Sequence, residues 1–506
     1  MPKSRFVVSI VLLIGMAFIS VVAIDGSPEE GVSDQTQASQ NLTLTECQYE
    51  FTNNVNLLCG YYTTPGNNTV QYELPFVVIN GEERQNPKTD STNSTNSTNG
   101  LRESINEALM VLHGGPGAGV GLGRTEIHSW IGWYQQQRIS GPLIVFDYRS
   151  TGLSTPYYDC EPRSFAPDRS GSSPIEQQEN LFAEFKLCLE QIKHQGAHEL
   201  DFSSETTALD AIALAKALGV ESLNVYANSF GTRVALWLDR LEPNLINRMI
   251  LDALHTPTNG DMNRWPQRYV GAFKQWFAFC ASDRSCDASE QKLFRALKVN
   301  NHLNVYPTAD AFIETLYSNL YFAGGYVINN QLIDEVIRNQ QVSSDNNRQE
   351  DVQTRPLSSN LKRTQFNKFV HYLTNCVDNP PVSLTQFDRN KSEFPRWQSL
   401  IHYDPSTDVC HHVKTNNQIA SVSWDSIQAK SLILSGGLDP VTSYRSAAEF
   451  FSNFNDAVHV SIHDGGHGLV ESQACFTGLI SSYLSGYNIN QFLEANCSHR
   501  SFNITQ

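Results

Sequence analysis

The apolar positions of this chain fall into short runs rich in Val, Ile and Leu, separated by longer stretches in which apolar residues recur every three or four places. The runs VQYELPFVVI (70–79), ALMVLH (108–113), LIVFDY (143–148), SLNVY (222–226), RMILD (248–252), SLILS (431–435) and VHVSI (458–462) read as strands. The later runs are apolar without alternation, as in parallel strands covered on both faces. Helices fit 178–195, 204–219, where LDAIALAKALG stops on Gly219, and 230–242. This alternation predicts an α/β architecture with a mostly parallel central sheet and helices on both faces.

The rhythm breaks in two places. DSTNSTNSTNG (90–100) is polar and repetitive, so it buries no core and predicts a flexible exposed loop over 82–104. From about His255 to Ala429 an aromatic helical stretch, RWPQRYVGAFKQWFAFC, gives way to the polar NQQVSSDNNRQEDVQT without a clear strand. An insertion at the carboxyl ends of parallel strands covers the place where such sheets bind ligands. Residues 255–429 therefore read as a mainly helical cap, dividing a core of 24–254 and 430–506.

The first residues, MPKSRFVVSIVLLIGMAFISVVAIDG, place Lys3 and Arg5 ahead of an apolar run from Phe6 to Ile24. Val21 and Ala23 suit the −3 and −1 positions of a cleavage site, so 1–23 reads as a signal peptide and the protein as secreted, extracellular or periplasmic. An uncleaved membrane anchor is the alternative, the run being close to spanning length. Ten cysteines, an even number, fit an oxidising compartment. They lie in neighbouring couples, Cys47 and Cys59, Cys160 and Cys188, Cys280 and Cys286, Cys376 and Cys410, Cys475 and Cys497, which suggests sequential disulfides. His411 and His412 beside Cys410 lack the ligand set of a zinc site, and no metal is expected. Glycan acceptor motifs stand at Asn41, Asn67, Asn93, Asn96, Asn390, Asn496 and Asn503, for use if the source is eukaryotic. With 52 acidic and 36 basic residues the net charge is −16, and no basic patch offsets it. That excludes nucleic acid as an expected partner, and anionic membranes beyond the N-terminal segment.

The candidate chemistry begins at VYANSFGTR (225–233), a strand running into a turn with Ser229 at its tip and Ala227 where a glycine is expected. A serine hydroxyl needs a histidine to take its proton and a carboxylate to orient that histidine. Asp439 follows a strand in SGGLDPVTS, and His467 follows the next in HDGGHGL. His463 competes, but it falls on the strand's end, whereas two glycines free the loop before His467 to bend inward. VLHGGPGAG (111–119) leaves its strand with two glycines before a proline, which lets backbone N–H groups approach a developing oxyanion. Each piece alone has an ordinary reading: a chance serine, a helix-capping aspartate, a Gly-Pro turn.

Together these phrases, with FDYRSTGLSTP (146–156), resemble the α/β hydrolases of the S33 serine peptidase type, the prolyl aminopeptidase and secreted tripeptidyl aminopeptidase branch. The likeness runs from about Cys47 to Cys497 and includes LLCGYYTTP (57–65), WFAFCASDRSC, LTNCVDNPP and the C-terminal ACFTGLISSYLSGY. It implies Ser229 as nucleophile, Asp439 as orienting acid and His467 as general base, with the N–H groups of Gly115 and Phe230 as the oxyanion hole. Asp147 and Arg149 match a structural D-x-R-G-x-G-x-S loop in which Ser150 replaces a glycine. The implied activity is release of residues or short peptides from free peptide N-termini through an acyl-enzyme, with a peptide or small acyl substrate and no cofactor.

An aminopeptidase needs a carboxylate to hold the substrate ammonium. Asp261, Glu314, Asp334 and Glu335 are the cap candidates, each equally at home as a solvated surface charge. The alternative is a carboxylesterase or lipase with the same triad and an apolar groove lined by Trp265, Trp276 and Phe277, which suit a core as well. A third reading, a non-catalytic hydrolase fold used for binding, sits poorly with an intact triad.

Overall fold

A sheet of ten strands carries the chain in this computed structural model, which describes residues 41–49, 55–81, 105–158, 160, 174–257, 260–283, 286–303, 306–343, 366–379, 381–402, 405–413 and 422–506. The expected signal segment 1–23 and the loop 82–104 lie outside the described residues. The strands are β1 (Leu42–Thr45), β2 (Val55–Pro65), β3 (Gln71–Gly81), β4 (Ile105–Leu112), β5 (Leu143–Phe146), β6 (Val220–Asn228), β7 (Ile246–Asp252), β8 (Lys430–Gly436), β9 (Ala457–Ile462) and β10 (Phe502–Thr505). Their order across the sheet is β1-β2-β3-β5-β4-β6-β7-β8-β9-β10. From β5 to β9 every neighbour is parallel, and antiparallel strands close both edges. This is the expected mostly parallel α/β sheet. The edge strands β1 and β10, and β2 next to the first edge, were not expected, because their side chains are largely half-buried or exposed and carry little apolar run.

Successive side chains of a strand point to opposite faces, and here both faces are covered. Met110, Ile144, Val225, Met249 and Ile433 share one buried cluster with helices Ser204–Ala217 and Phe230–Leu241. Their neighbours Val111, Val145, Tyr226, Ile250 and Leu434 join the other, with helices Ile127–Gln136, Leu479–Leu484 and Ile489–Asn496. Each fully buried aliphatic or aromatic side chain contributes about 2 kcal/mol of transfer free energy.

The insertion between β7 and β8 is helical, with helices Trp265–Ser282, Glu290–Leu303, Ala309–Asn319, Gly325–Ser343, Lys368–Asp378 and Leu384–Ser392. Most of it packs on a core of its own, in which Phe273, Trp276, Leu316 and Trp397 are buried and Trp265 and Phe277 lean on the same cluster. Trp276 is fully buried, so these aromatics build the cap instead of lining a groove. Helix Lys368–Asp378 behaves differently: Phe369, Leu373 and Val377 pack with Tyr72, Phe185 and Phe202 of the main layer. Of the cap acids, Asp334 pairs with Lys292 at 2.6 Å, Asp261 caps a short turn through Asn263, and Glu314 is exposed.

Four of the expected disulfide couples are bonded: Cys47 to Cys59, Cys280 to Cys286, Cys376 to Cys410 and Cys475 to Cys497. Cys160 and Cys188 are buried in one apolar cluster. Such bonds persist in oxidising compartments. Among the described residues no helix is long and apolar enough to cross a membrane.

The loop after β5 locks the main layer together. Arg149 donates Nε to Asp210 Oδ2 at 2.7 Å and Nη2 to Asp210 Oδ1 at 2.8 Å, with a further bond to the Pro65 carbonyl at 3.0 Å. Asp147 accepts the N–H groups of Val120 (2.7 Å) and Leu153 (2.8 Å), so it ties the HGGPG loop to this one. Ser150 adopts φ 56°, which explains the glycine of the resembling loop. Its hydroxyl accepts the Tyr158 N–H at 2.7 Å, a local bond that offsets the strain of about 1 kcal/mol. Asp210→Asn should cost about 3 kcal/mol in urea denaturation, because the buried guanidinium loses its bidentate carboxylate and keeps only Asp201 at 3.5 Å. Glu242→Gln, which breaks the exposed pair with Lys216, should change stability by less than about 1 kcal/mol.

Candidate active site

β6 ends at Asn228 and the helix Phe230–Leu241 starts immediately after, so Ser229 alone makes the turn. Its backbone sits at φ 52° and ψ −120°, a strained conformation for a residue with a side chain. The turn is held from both sides: the Ser229 N–H donates to the Asp252 carbonyl at 2.9 Å, and the Thr232 hydroxyl donates to the Ser229 carbonyl at 2.6 Å. Gly231 is obligatory, since a Cβ there would fall 1.9 Å from the Leu112 carbonyl oxygen. Ala227 is not a defect. It is fully buried, paired across the sheet with Leu112 of β4 and Leu251 of β7, and its methyl is part of the core.

The loops after β8 and β9 bring the other two residues together. His467 Nδ1 donates to Asp439 Oδ2 at 2.8 Å, with side-chain exposures of 3% and 0% that shut water out of the pair. Asp439 also accepts the Val441 N–H at 2.8 Å, the Thr442 N–H at 3.0 Å and the Thr442 hydroxyl at 2.6 Å. That carboxylate has one face for the imidazole and the rest fixed by its own loop. His463 points elsewhere, to the Ser501 hydroxyl at 2.9 Å. On the far side of the His467 ring Tyr321 of the cap stacks at 4.5 Å, and its carbonyl accepts the His467 N–H at 2.8 Å.

One direct contact and one bridging residue, Asp252, join the serine elbow to the histidine loop. A Cβ on Gly468 would lie 3.2 Å from Asn228 Nδ2, so the residue after the histidine touches the residue before the serine. Asp252, at the end of β7, accepts the Leu469 and Val470 N–H groups at 2.8 Å on its two carboxylate oxygens. The same residue's carbonyl holds the Ser229 N–H. The HGGPG loop closes the third side: a Cβ on Gly114 would meet Asn228 Oδ1 at 3.1 Å and Ser229 Cβ at 3.2 Å. Gly115 stands at φ 137°, where side chains are rarely tolerated. Phe230 opens its helix, so its N–H has no intrahelical acceptor.

Burial shifts the titration of these groups. Burial pushes His467 down, but the Asp439 carboxylate, its hydrogen bond and the nearby Asp252 outweigh it and hold the imidazole above its ordinary value. Asp252 is pushed up to about 6 by burial against the pull of its two N–H donors. His113, stacked on Tyr148 at 3.9 Å and bonded through Nδ1 to the Gly114 carbonyl at 2.8 Å, is pushed down to about 4 by burial. It stays neutral and stiffens the glycine loop.

The structure thus brings Ser229, Asp439 and His467 into one neighbourhood, with Gly115 and Phe230 in the segments beside it. Sequence reading missed Asp252, Thr442 and Tyr321. Thr442 lies within the quoted SGGLDPVTS, where an Asp with a hydroxyl three residues on is a recognisable self-capping signal. Asp252 and Tyr321 carry no local signal.

The alpha/beta hydrolase fold family matches residues 107–473, from β4 past His467, and the chain belongs to that family. It is similar to YuaR of Escherichia coli (strain K12), a hydrolase by name, with 22% identity over 252 residues that cover 47% of this chain and 45% of that protein. The match thus spans less than half the length of that relative. An alpha/beta hydrolase fold protein from Chitinophaga pinensis aligns with 84% of this chain and 98% of its own at 12% identity and a TM-score of 0.37. The alpha/beta hydrolase MGS-M2 from a Medee basin deep-sea metagenome aligns with 82% and 96% at 13% identity and a TM-score of 0.36.

Asp439→Asn should lower the His467 pKa below about 6.5, since burial then dominates; NMR titration, with the resonance assigned by a His467→Gln variant, reads this directly. In the unsubstituted protein the midpoint should lie above about 6.5. The sign for stability follows: a raised histidine pKa stabilises the fold below about pH 6.5, and that contribution is lost as pH rises through the folded value.

Proposed function

We propose that this chain is a serine hydrolase working through an acyl-enzyme, and most specifically a secreted aminopeptidase acting on free peptide N-termini. The observation that carries the hydrolase reading is the buried Asp439–His467 hydrogen bond set against the Ser229 elbow. Ser229 Oγ attacks the scissile carbonyl carbon while His467 Nε2 takes its proton. Negative charge on the carbonyl oxygen is received by the N–H groups of Phe230 and Gly115. The tetrahedral species collapses, His467 gives the proton to the departing amine, and an ester to Ser229 remains. Water, deprotonated by His467, attacks that ester and releases the acid. Asp439 keeps the imidazole oriented throughout and stabilises its positive charge.

The peptidase refinement is supported by the likeness of HGGPG, FDYRSTGLSTP, GGLDPVT and GGHG to the aminopeptidase branch. Secretion is supported by the signal-like N-terminus and the four disulfides. One observation favours the esterase alternative. Tyr321, Phe322 and Val441, beside His467 and Asp439, are exposed apolar side chains that suit an acyl chain.

Ser229→Ala should reduce kcat on the order of 10⁴-fold or more with unchanged thermal unfolding. The kcat/KM profile should fall in acid with a midpoint above about 6.5, the raised pKa of His467. Aminoacyl and tripeptidyl nitroanilides, free and amine-blocked, compared with nitrophenyl esters, separate the two readings. Loss of cleavage on blocking the amine is expected; turnover of esters alone would replace the aminopeptidase with the esterase.

A further inference from the structure

The seam where the cap meets the serine helix carries positive charge that the hydrolytic steps do not use. Arg233, in helix Phe230–Leu241, is fully buried and has a carboxylate partner, although its Nε is sealed without an acceptor. It stands 3.7 Å from Asp378 and donates to Asn379 Oδ1 at 3.1 Å and to the carbonyls of Thr256 and Pro257 at 3.1 and 3.3 Å. Arg268, in the first turns of cap helix Trp265–Ser282, has no carboxylate within ion-pair distance among the described residues. Its Nη2 reaches the Asp261 carbonyl at 3.3 Å and Met262 Sδ at 3.6 Å, and its Nε is sealed from solvent without an acceptor. The nearby Asp261 carboxylate is engaged with Arg264 at 3.8 Å and with Asn263 at 2.8 Å.

His255 completes the cluster. Its N–H donates to the Thr232 hydroxyl at 2.7 Å, and that hydroxyl in turn holds the Ser229 carbonyl. Its Nδ1 is buried without a partner. Arg233, Arg268 and His467 all lie within electrostatic reach of this imidazole, which burial and those cations keep neutral. Tyr317, within electrostatic reach of Arg268, sends its hydroxyl to the carbonyl of Pro440, the residue after Asp439, at 2.8 Å. His255 is thus tied through its backbone to the elbow, and Arg268 lies near Tyr317, which is bonded to the aspartate loop. Burial, with Arg233 and Arg264 nearby, pushes the Arg268 guanidinium down to about 10 against the pull of Tyr317 and Asp261.

A desolvated guanidinium without an acid partner is costly, and its planar fork matches a carboxylate. We propose that Arg268, aided by His255, is the recognition point for a carboxylate on the substrate, so that the site takes short peptides or acyl compounds bearing a negative charge near the bond cleaved. The position of that charge relative to the bond rests on the reading of Ser229 as nucleophile; the binding of the carboxylate does not. An acidic side chain and a free C-terminus offer the same chemistry.

The test uses the full chain with Ser229→Ala, so that peptides are bound and not consumed, and calorimetric titration as the readout. Four probes suffice: Ala-Ala-Ala with a free C-terminus, its amide, and the amides of Ala-Glu-Ala and Ala-Gln-Ala. At least one carboxylate-bearing probe should bind about tenfold tighter than its neutral counterpart, the charge-assisted pair supplying the difference. Preference within the first pair identifies the C-terminus, and within the second the acidic side chain. Adding Arg268→Met should erase the preference while leaving the neutral probes unchanged. Equal affinities within each pair would overturn the proposal before the second variant is made, and so would a preference that survives Arg268→Met. Failure of the nucleophile reading shows separately, as undiminished peptide hydrolysis by the Ser229→Ala chain.

Discussion

The site depends on Asp252. Its carbonyl takes the Ser229 N–H and its carboxylate takes the N–H groups of Leu469 and Val470, just beyond His467, so one residue at the end of β7 references both ends of the proposed proton transfer. Catalytic groups must be held within about half an ångström, and loops alone do not provide that. Here two loops borrow the rigidity of the central parallel strands. The residue is fully buried, and the bonds it makes are the reason a carboxylate is tolerated there.

Around that reference the chain stores backbone strain at chosen points and compensates for it nearby. Ser229 at φ 52° is clamped by Asp252 and Thr232; Ser150 at φ 56° gains the Tyr158 N–H. The glycine requirement is asymmetric. Two residues after the serine the helix crosses the Leu112 carbonyl and leaves no room for a methyl, whereas two before it the Ala227 methyl simply joins the core. The departure from the usual elbow therefore changes packing and leaves the turn intact.

Much of this was legible in sequence because each motif adjoins an apolar run: HGGPG after β4, the elbow after β6, Asp439 after β8, His467 after β9. What was not legible depends on partners distant along the chain. β1, β2 and β10 are strands because a neighbour supplies their hydrogen bonds, not because their residues demand it. Trp276 reads as apolar whether it lines a groove or fills a core, and only the arrangement of cap helices decides. Helix Lys368–Asp378 belongs by sequence position to the insertion and by packing to the main layer. Tyr321 reaches His467 from a separate part of the chain, and the charge shortage at Arg268 is visible only when its surroundings are counted.

The proposed chemistry stands or falls with Ser229 as the activated nucleophile. Reaction of the folded protein with a fluorophosphonate, followed by intact mass and peptide mapping, tests it most directly. A single adduct on Ser229 is expected, forming in the native protein and lost after unfolding or in His467→Gln. An unmodified protein, or an adduct carried by another residue, would contradict it.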